Sequence, residues 1–204
     1  NFPHCEERNI HNSQQRSTML SGSLFSLCLL ALVAHSHAGL SWGKCPSAKD
    51  AVKTFEPTKY VGFWYQLEAT SQVWQFGGKC PTANYTLEDT GRVHVKNSMK
   101  VFGKEVAQEG YAELVGEPGE AKLNVVFEVP LFGHREASYF VVDTDYENFS
   151  VVYSCSSIGP MKAEFGYILG RKPTLDESLK EKVDAAVARS GLRRGAFQKN
   201  AQKC

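Results

Sequence analysis

Apolar and polar positions alternate in short stretches along the middle of this chain. From Tyr60 to Arg171 about eight runs rich in Val, Tyr, Phe and Thr are separated by turn residues at intervals of roughly 8–15 positions. Short strands at that spacing predict an all-β barrel or sandwich. Where the alternation is clean it assigns faces: Arg92, His94 and Lys96 oppose Val93, Val95 and Asn97, and Lys122 and Asn124 oppose Leu123, Val125 and Phe127. The second set of each pair faces inward.

Three runs do not alternate. Tyr139 to Val142, Phe149 to Tyr153 and Phe165 to Leu169 are nearly apolar throughout, the pattern of strands buried on both faces. Something must cover their outer side. The segment from Thr174 to Ser190 is the candidate: Thr174 and Glu177 form a capping box, Leu179, Val183, Ala186 and Val187 share one helical face, and Gly191 can end the helix in the left-handed conformation. This helix is expected to dock over the last three strands.

The N-terminal part has a different pattern. Met19 leads into an apolar run from Leu24 to Ala34 and then Ser36-His37-Ala38, a small-x-small cleavage signal. Residues 19–38 therefore read as a signal peptide, too short in its apolar core to span a bilayer. Residues 1–18 are polar and unpatterned and read as a non-native or upstream segment, leaving 39–204 as a single domain. Of six cysteines, Cys45, Cys80, Cys155 and Cys204 remain after removal of Cys5 and Cys28. In an oxidising compartment these four form two bridges, with three pairings open. The formal net charge is +1, and with no basic stripe nucleic acid is an unexpected partner.

Gly62-Phe63-Trp64-Tyr65, Thr144-Asp145-Tyr146 and Arg171 occur in that order and resemble the three signature motifs of the lipocalins, small secreted carriers. The surrounding KYVGFWYQLE, GGKCPTANYTL and DTDYENFSVVYSC stretches look most like the apolipoprotein D-like branch. The resemblance covers roughly residues 43–204 and implies an eight-stranded antiparallel up-and-down β-barrel with one C-terminal α-helix packed outside. It also implies the pairings Cys45 with Cys155 and Cys80 with Cys204. Physically, Gly62 permits close approach, Trp64 can plug one end of a barrel, and Arg171 would lie over its indole. Gly62, Trp64, Thr144, Asp145, Tyr146 and Arg171 are thus structural motif residues.

An eight-stranded barrel holds side chains or one small ligand. The alternation, with the family's register where it is ambiguous, gives an inward set of Ala83, Tyr85, Val93, Val95, Asn97, Leu123, Val125, Phe127, Tyr139, Val141, Phe165 and Tyr167. This aromatic and aliphatic wall, with a few hydroxyls, one amide and no charge, suits a lipophilic molecule with one or two polar ends. At the mouth, Val73, Trp74, Phe76, Leu131, Phe132, Ile158 and Met161 are apolar where solvated loops gain nothing from it. They are expected to fold over the ligand, touch a membrane or lipoprotein surface, or contact a protein subunit. Asn84 and Asn148 head glycosylation sequons, Asn84 on an outward position and Asn148 beside a turn.

Enzyme chemistry has little support. All four mature cysteines are assigned to bridges, His94 faces outward, His134 is a lone mouth histidine, and neither metal-ligand spacing nor a phosphate-cradling glycine loop appears. No catalytic residue, metal or cofactor is expected. The resemblance implies a carrier for a retinoid, sterol, fatty acid or related lipid. The alternatives are a pigment carrier of the crustacyanin or insecticyanin type, and a protein-interaction module with a filled barrel.

Overall fold

A computed structural model describes residues 39–72, 75, 77–129 and 133–204. The upstream segment, the signal-peptide assignment, Cys5 and Cys28, and the mouth residues Val73, Trp74, Phe76, Leu131 and Phe132 lie outside the described residues.

A short strand β1 (Leu40–Trp42) and a single helical turn α1 (Pro57–Tyr60) precede the barrel. Eight strands follow: β2 (Gly62–Thr70), β3 (Lys79–Leu87), β4 (Val93–Val101), β5 (Lys104–Leu114), β6 (Lys122–Val129), β7 (Gly133–Thr144), β8 (Phe149–Ile158) and β9 (Met161–Gly170). Each pairs antiparallel with the next, and β9 pairs back onto β2, Tyr65 opposite Gly170 and Ala69 opposite Tyr167, which closes the barrel. Closure removes the open edges that a sheet of this size would otherwise expose. A helix α2 (Lys180–Ser190) and a last strand β10 (Phe197–Lys199), paired to β2, complete the chain.

The alternation assigns the faces of β3, β4 and β6 as expected, with Ala83, Tyr85, Val93, Val95, Leu123 and Val125 buried and Asn84 exposed. The outer cover of the last strands differs from the expectation in two respects. Helix α2 packs on β7 and β8, burying Val183, Ala186 and Val187 with Leu179 partly buried. Over β9 the cover comes from beyond the helix: a Cβ on Gly166 would strike the Phe197 ring and Leu192. Glycine there lets the descending tail lie close on the strand. The helix also begins later than the capping box predicts. Asp176, not Thr174, caps the entry, its carboxylate accepting from the Ser178 N–H, and Glu177–Leu179 form a 3₁₀ turn before α2 starts. The carboxylate sits one strand-like residue before the turn and competes effectively for its free N–H groups. Gly191 ends α2 with φ of 78°.

The segment before α1 covers β7 and β8 beside the helix, where Lys49 Nζ donates to the Ser190 carbonyl. Cys45 bonds to Cys155, Lys49 lies over the Tyr153 ring at 4.1 Å, and Val52 N–H donates to the Val141 carbonyl. Cys80 bonds to Cys204 and ties the tail to β3. The bridges join residues 110 and 124 apart. Each removes chain entropy from the unfolded state worth about 4–5 kcal/mol.

Candidate functional site

One end of the barrel is shut by a small set of fully engaged groups. Trp64 is wholly buried, its indole N–H donates to the Tyr60 carbonyl at 2.8 Å, and the Arg171 guanidinium lies 3.6 Å over its ring. Arg171 donates to the carbonyls of Tyr146, Phe63, Lys59, Tyr60 and Val61. Such stacking is worth about 0.5–2 kcal/mol, and the fan of hydrogen bonds locks α1 to the start of β2. Gly62, at φ of 96°, leaves 3.4 Å between a would-be Cβ and Arg171 Nη1.

The β7–β8 turn completes this end. Asp145 accepts from the backbone N–H groups of Glu147, Asn148 and Phe149, Thr144 Oγ1 donates to the Phe149 carbonyl, and Tyr146 takes a left-handed φ of 66°. Burial alone would raise the Asp145 carboxyl, but these N–H donors and the Asn148 amide hold it below the usual range. Asn148 is engaged in the same turn, donating to Asp145 Oδ2 at 2.9 Å.

Above this plug the barrel encloses a cavity of about 580 Å³. Of the residues expected to line it, Tyr85, Val93, Val95, Asn97, Leu123, Val125, Phe127, Tyr139, Phe165 and Tyr167 do so, with Ala83. Val141 does not. It is fully buried at the closed end, where its backbone bonds to Val52 and Ala121, and the pairing with β8 then slips by a bulge between Val141 and Asp143. The inward face of β7 below Tyr139 is therefore packed core.

The cavity floor is polar in a way the sequence reading missed. The Tyr60 hydroxyl lies 3.0 Å from that of Tyr139 and 2.9 Å from Ser150 Oγ, and the Tyr85 hydroxyl lies 3.2 Å from that of Tyr139. The Tyr60 and Tyr85 rings stack with centroids 5.9 Å apart. Burial pushes the Tyr60 phenol up to about 12 and raises those of Tyr85 and Tyr139 as well, so all three remain hydroxyls. Tyr60 lies two residues before Gly62, and a phenol that close to the plug was the available signal.

Towards the mouth the wall carries amides and charge. Gln66, on the same face as Trp64 by period two, exchanges hydrogen bonds with Gln75. Gln72 is 8% exposed and its amide completes no hydrogen bond, although it lies close enough to the Tyr167 phenol to favour ionisation slightly against the larger opposing effect of burial. Arg135 and Glu136 also line the cavity, correcting the expectation of a chargeless wall. Counting back by twos from Tyr139 reaches Ala137 and Arg135 and would have found the first of them. At the rim Ile158 is 57% exposed and lines the opening, whereas Met161 opens β9 opposite Trp42 of β1 and does not line it.

His94 pairs outside with Glu109, and His134 lies 3.9 Å from Glu128 on the surface. Among the described residues no cluster of His, Cys, Asp or Glu could hold a metal ion, and no helix is long and apolar enough to cross a membrane.

The sequence profile of the lipocalin-like domain matches residues 55–202. Apolipoprotein D of Mus musculus is 38% identical over 65% of this chain and 69% of its own length. Apolipoprotein D of Macaca fascicularis is 37% identical over 63% and 67%. Among solved structures, insecticyanin of the tobacco hornworm Manduca sexta superposes with a TM-score of 0.67, at 23% identity over 79% of this chain and 87% of that one.

Proposed function

Because the chain belongs to the lipocalin family, we propose that it is a secreted carrier that reversibly holds one small hydrophobic molecule, such as a retinoid, sterol or fatty acid, inside its barrel. The observation that carries this reading is the cavity of about 580 Å³, plugged at one end and walled by aromatic and aliphatic side chains. Its size lies within the range of about 300–1,000 Å³ typical of ligand sites, and a barrel filled by its own side chains would not leave it. The driving force is desolvation, about 25 cal/mol per Å² of apolar surface buried, with orientation set by the hydroxyls of the floor and by Asn97 nearer the rim. A carrier needs no nucleophile, and the cysteines at 45, 80, 155 and 204 are all spent in disulfides.

The same reading makes residues 19–38 a secretion signal, 39–204 the mature domain, and Asn84, exposed on β3, a glycan acceptor. The test is native mass spectrometry with solvent extraction and an absorption spectrum on protein secreted by animal cells. About one lipid per chain is expected. A chromophore at that stoichiometry would move the assignment to a pigment carrier. Protein that is empty and refuses retinoid, sterol, fatty acid and carotenoid would overturn the carrier reading.

A further inference from the structure

Four hydroxyls at the cavity floor form an unbranched chain in the order Ser150, Tyr60, Tyr139, Tyr85. Each hydroxyl owns one hydrogen and can accept others. Four hydrogens therefore serve three links, and one is left over. Its position follows from burial. Ser150 is 0% exposed and, among the described residues, its hydroxyl is bonded only to Tyr60, so its hydrogen goes to Tyr60, since a buried donor without an acceptor is costly. Tyr60 then donates to Tyr139. The last link uses one hydrogen of Tyr139 or Tyr85, and the other keeps a hydrogen with no acceptor among the described residues. Both of these residues line the cavity.

We propose that the floor of the cavity is a single hydrogen-bond donor, and that it selects ligands whose leading end is a neutral oxygen acceptor: a ketone, aldehyde, ester or ether. This rests on the carrier reading above and adds to it the class of ligand and the end that enters first. Donation along the chain polarises the terminal O–H and strengthens it. A protonated amine could donate to a floor oxygen but would leave the spare hydroxyl hydrogen unpaired. A carboxylate entering first would shed its water against hydroxyls rather than a cation, because Arg171 lies over the Trp64 ring and spends its N–H groups on backbone carbonyls, and Arg135 borders the cavity towards the mouth.

The experiment uses three probes on one retinoid skeleton that differ only at the chain terminus: a methyl ketone, a methyl group and a primary amine. Affinities are read by fluorescence titration and the bound carbonyl by infrared spectroscopy. The ratio of ketone to hydrocarbon affinity should be about three- to tenfold higher in the native protein than in the Tyr85→Phe/Tyr139→Phe double variant, the scale of one net hydrogen bond. The bound ketone should absorb at lower frequency than in hexane. Ser150→Ala should keep the preference, because three hydroxyls with two links still leave one hydrogen over. Equal ratios in native and double-variant protein, an unshifted carbonyl in the native protein, or a preference for the amine would overturn the proposal while leaving the carrier reading intact. Failure of all three probes to bind would overturn both. The carbonyl shift in native protein decides the matter even if the double variant does not fold.

Discussion

The two ends of the barrel are built from the same strands and solve opposite problems. At the closed end every strong donor has a partner: the Trp64 N–H, the Arg171 guanidinium and the N–H groups of the β7–β8 turn are all engaged. At the open end a buried glutamine amide at position 72 completes no hydrogen bond among the described residues, and Ile158 is exposed. Full satisfaction rigidifies a site, and unspent polar capacity is what a ligand can use. Stability is therefore concentrated at one end and recognition is spread along the cavity above it.

This contrast can be broken most severely at the plug. Trp64→Ala removes a fully buried indole together with the surface on which Arg171 stacks, and should cost about 3–5 kcal/mol in urea unfolding. A loss below about 1 kcal/mol would mean that the closed end is not where the fold is held. Next in size, Tyr167→Ala should weaken lipid binding by about 1–3 kcal/mol, with a smaller effect on unfolding than Trp64→Ala because its ring borders open space. His94→Ala, on the outer face, should leave binding unchanged. If Tyr167→Ala unfolds the protein as readily as Trp64→Ala does, the division between the two ends fails.

The smallest effect is a pH dependence. The Asp145 carboxyl lies below its unfolded value of about 3.9. Its contribution is therefore fully present above that value and is lost as pH falls through the lower, folded one. Asp145→Asn should lower stability at neutral pH and change it little below the folded value, which flattens the acid limb of the stability curve. Parallel acid limbs in the two proteins would show that the turn carboxylate does not titrate with folding.

What could be read from the chain itself follows from repeats of short range. Period two in β4 and β6 placed Val93, Val95, Leu123, Val125 and Phe127 correctly, because a strand's faces are decided by neighbours two positions apart. The Gly62, Trp64 and Arg171 signature identified the family, and the resemblance carried both disulfide pairings. Val141, Thr174 and the cover over β9 were misread for one reason: each depends on something outside its own segment. Val141 lies where Val52 and Ala121 close the barrel end, Asp176 caps a 3₁₀ turn that starts later than one capped by Thr174 would, and Leu192 and Phe197 reach β9 only after the chain has turned past α2.

The hydroxyl chain is the extreme case. Its links span 90, 79 and 54 residues, and no periodicity within a strand encodes which phenol will meet which. Alternation, with the family's register for the run that does not alternate, placed Tyr85 and Tyr139 inward. Only closure of the barrel, which brings β3, β7, β8 and the turn before β2 around one axis, decided that their oxygens would join those of Tyr60 and Ser150, because hydrogen bonding depends on distances set by the whole sheet.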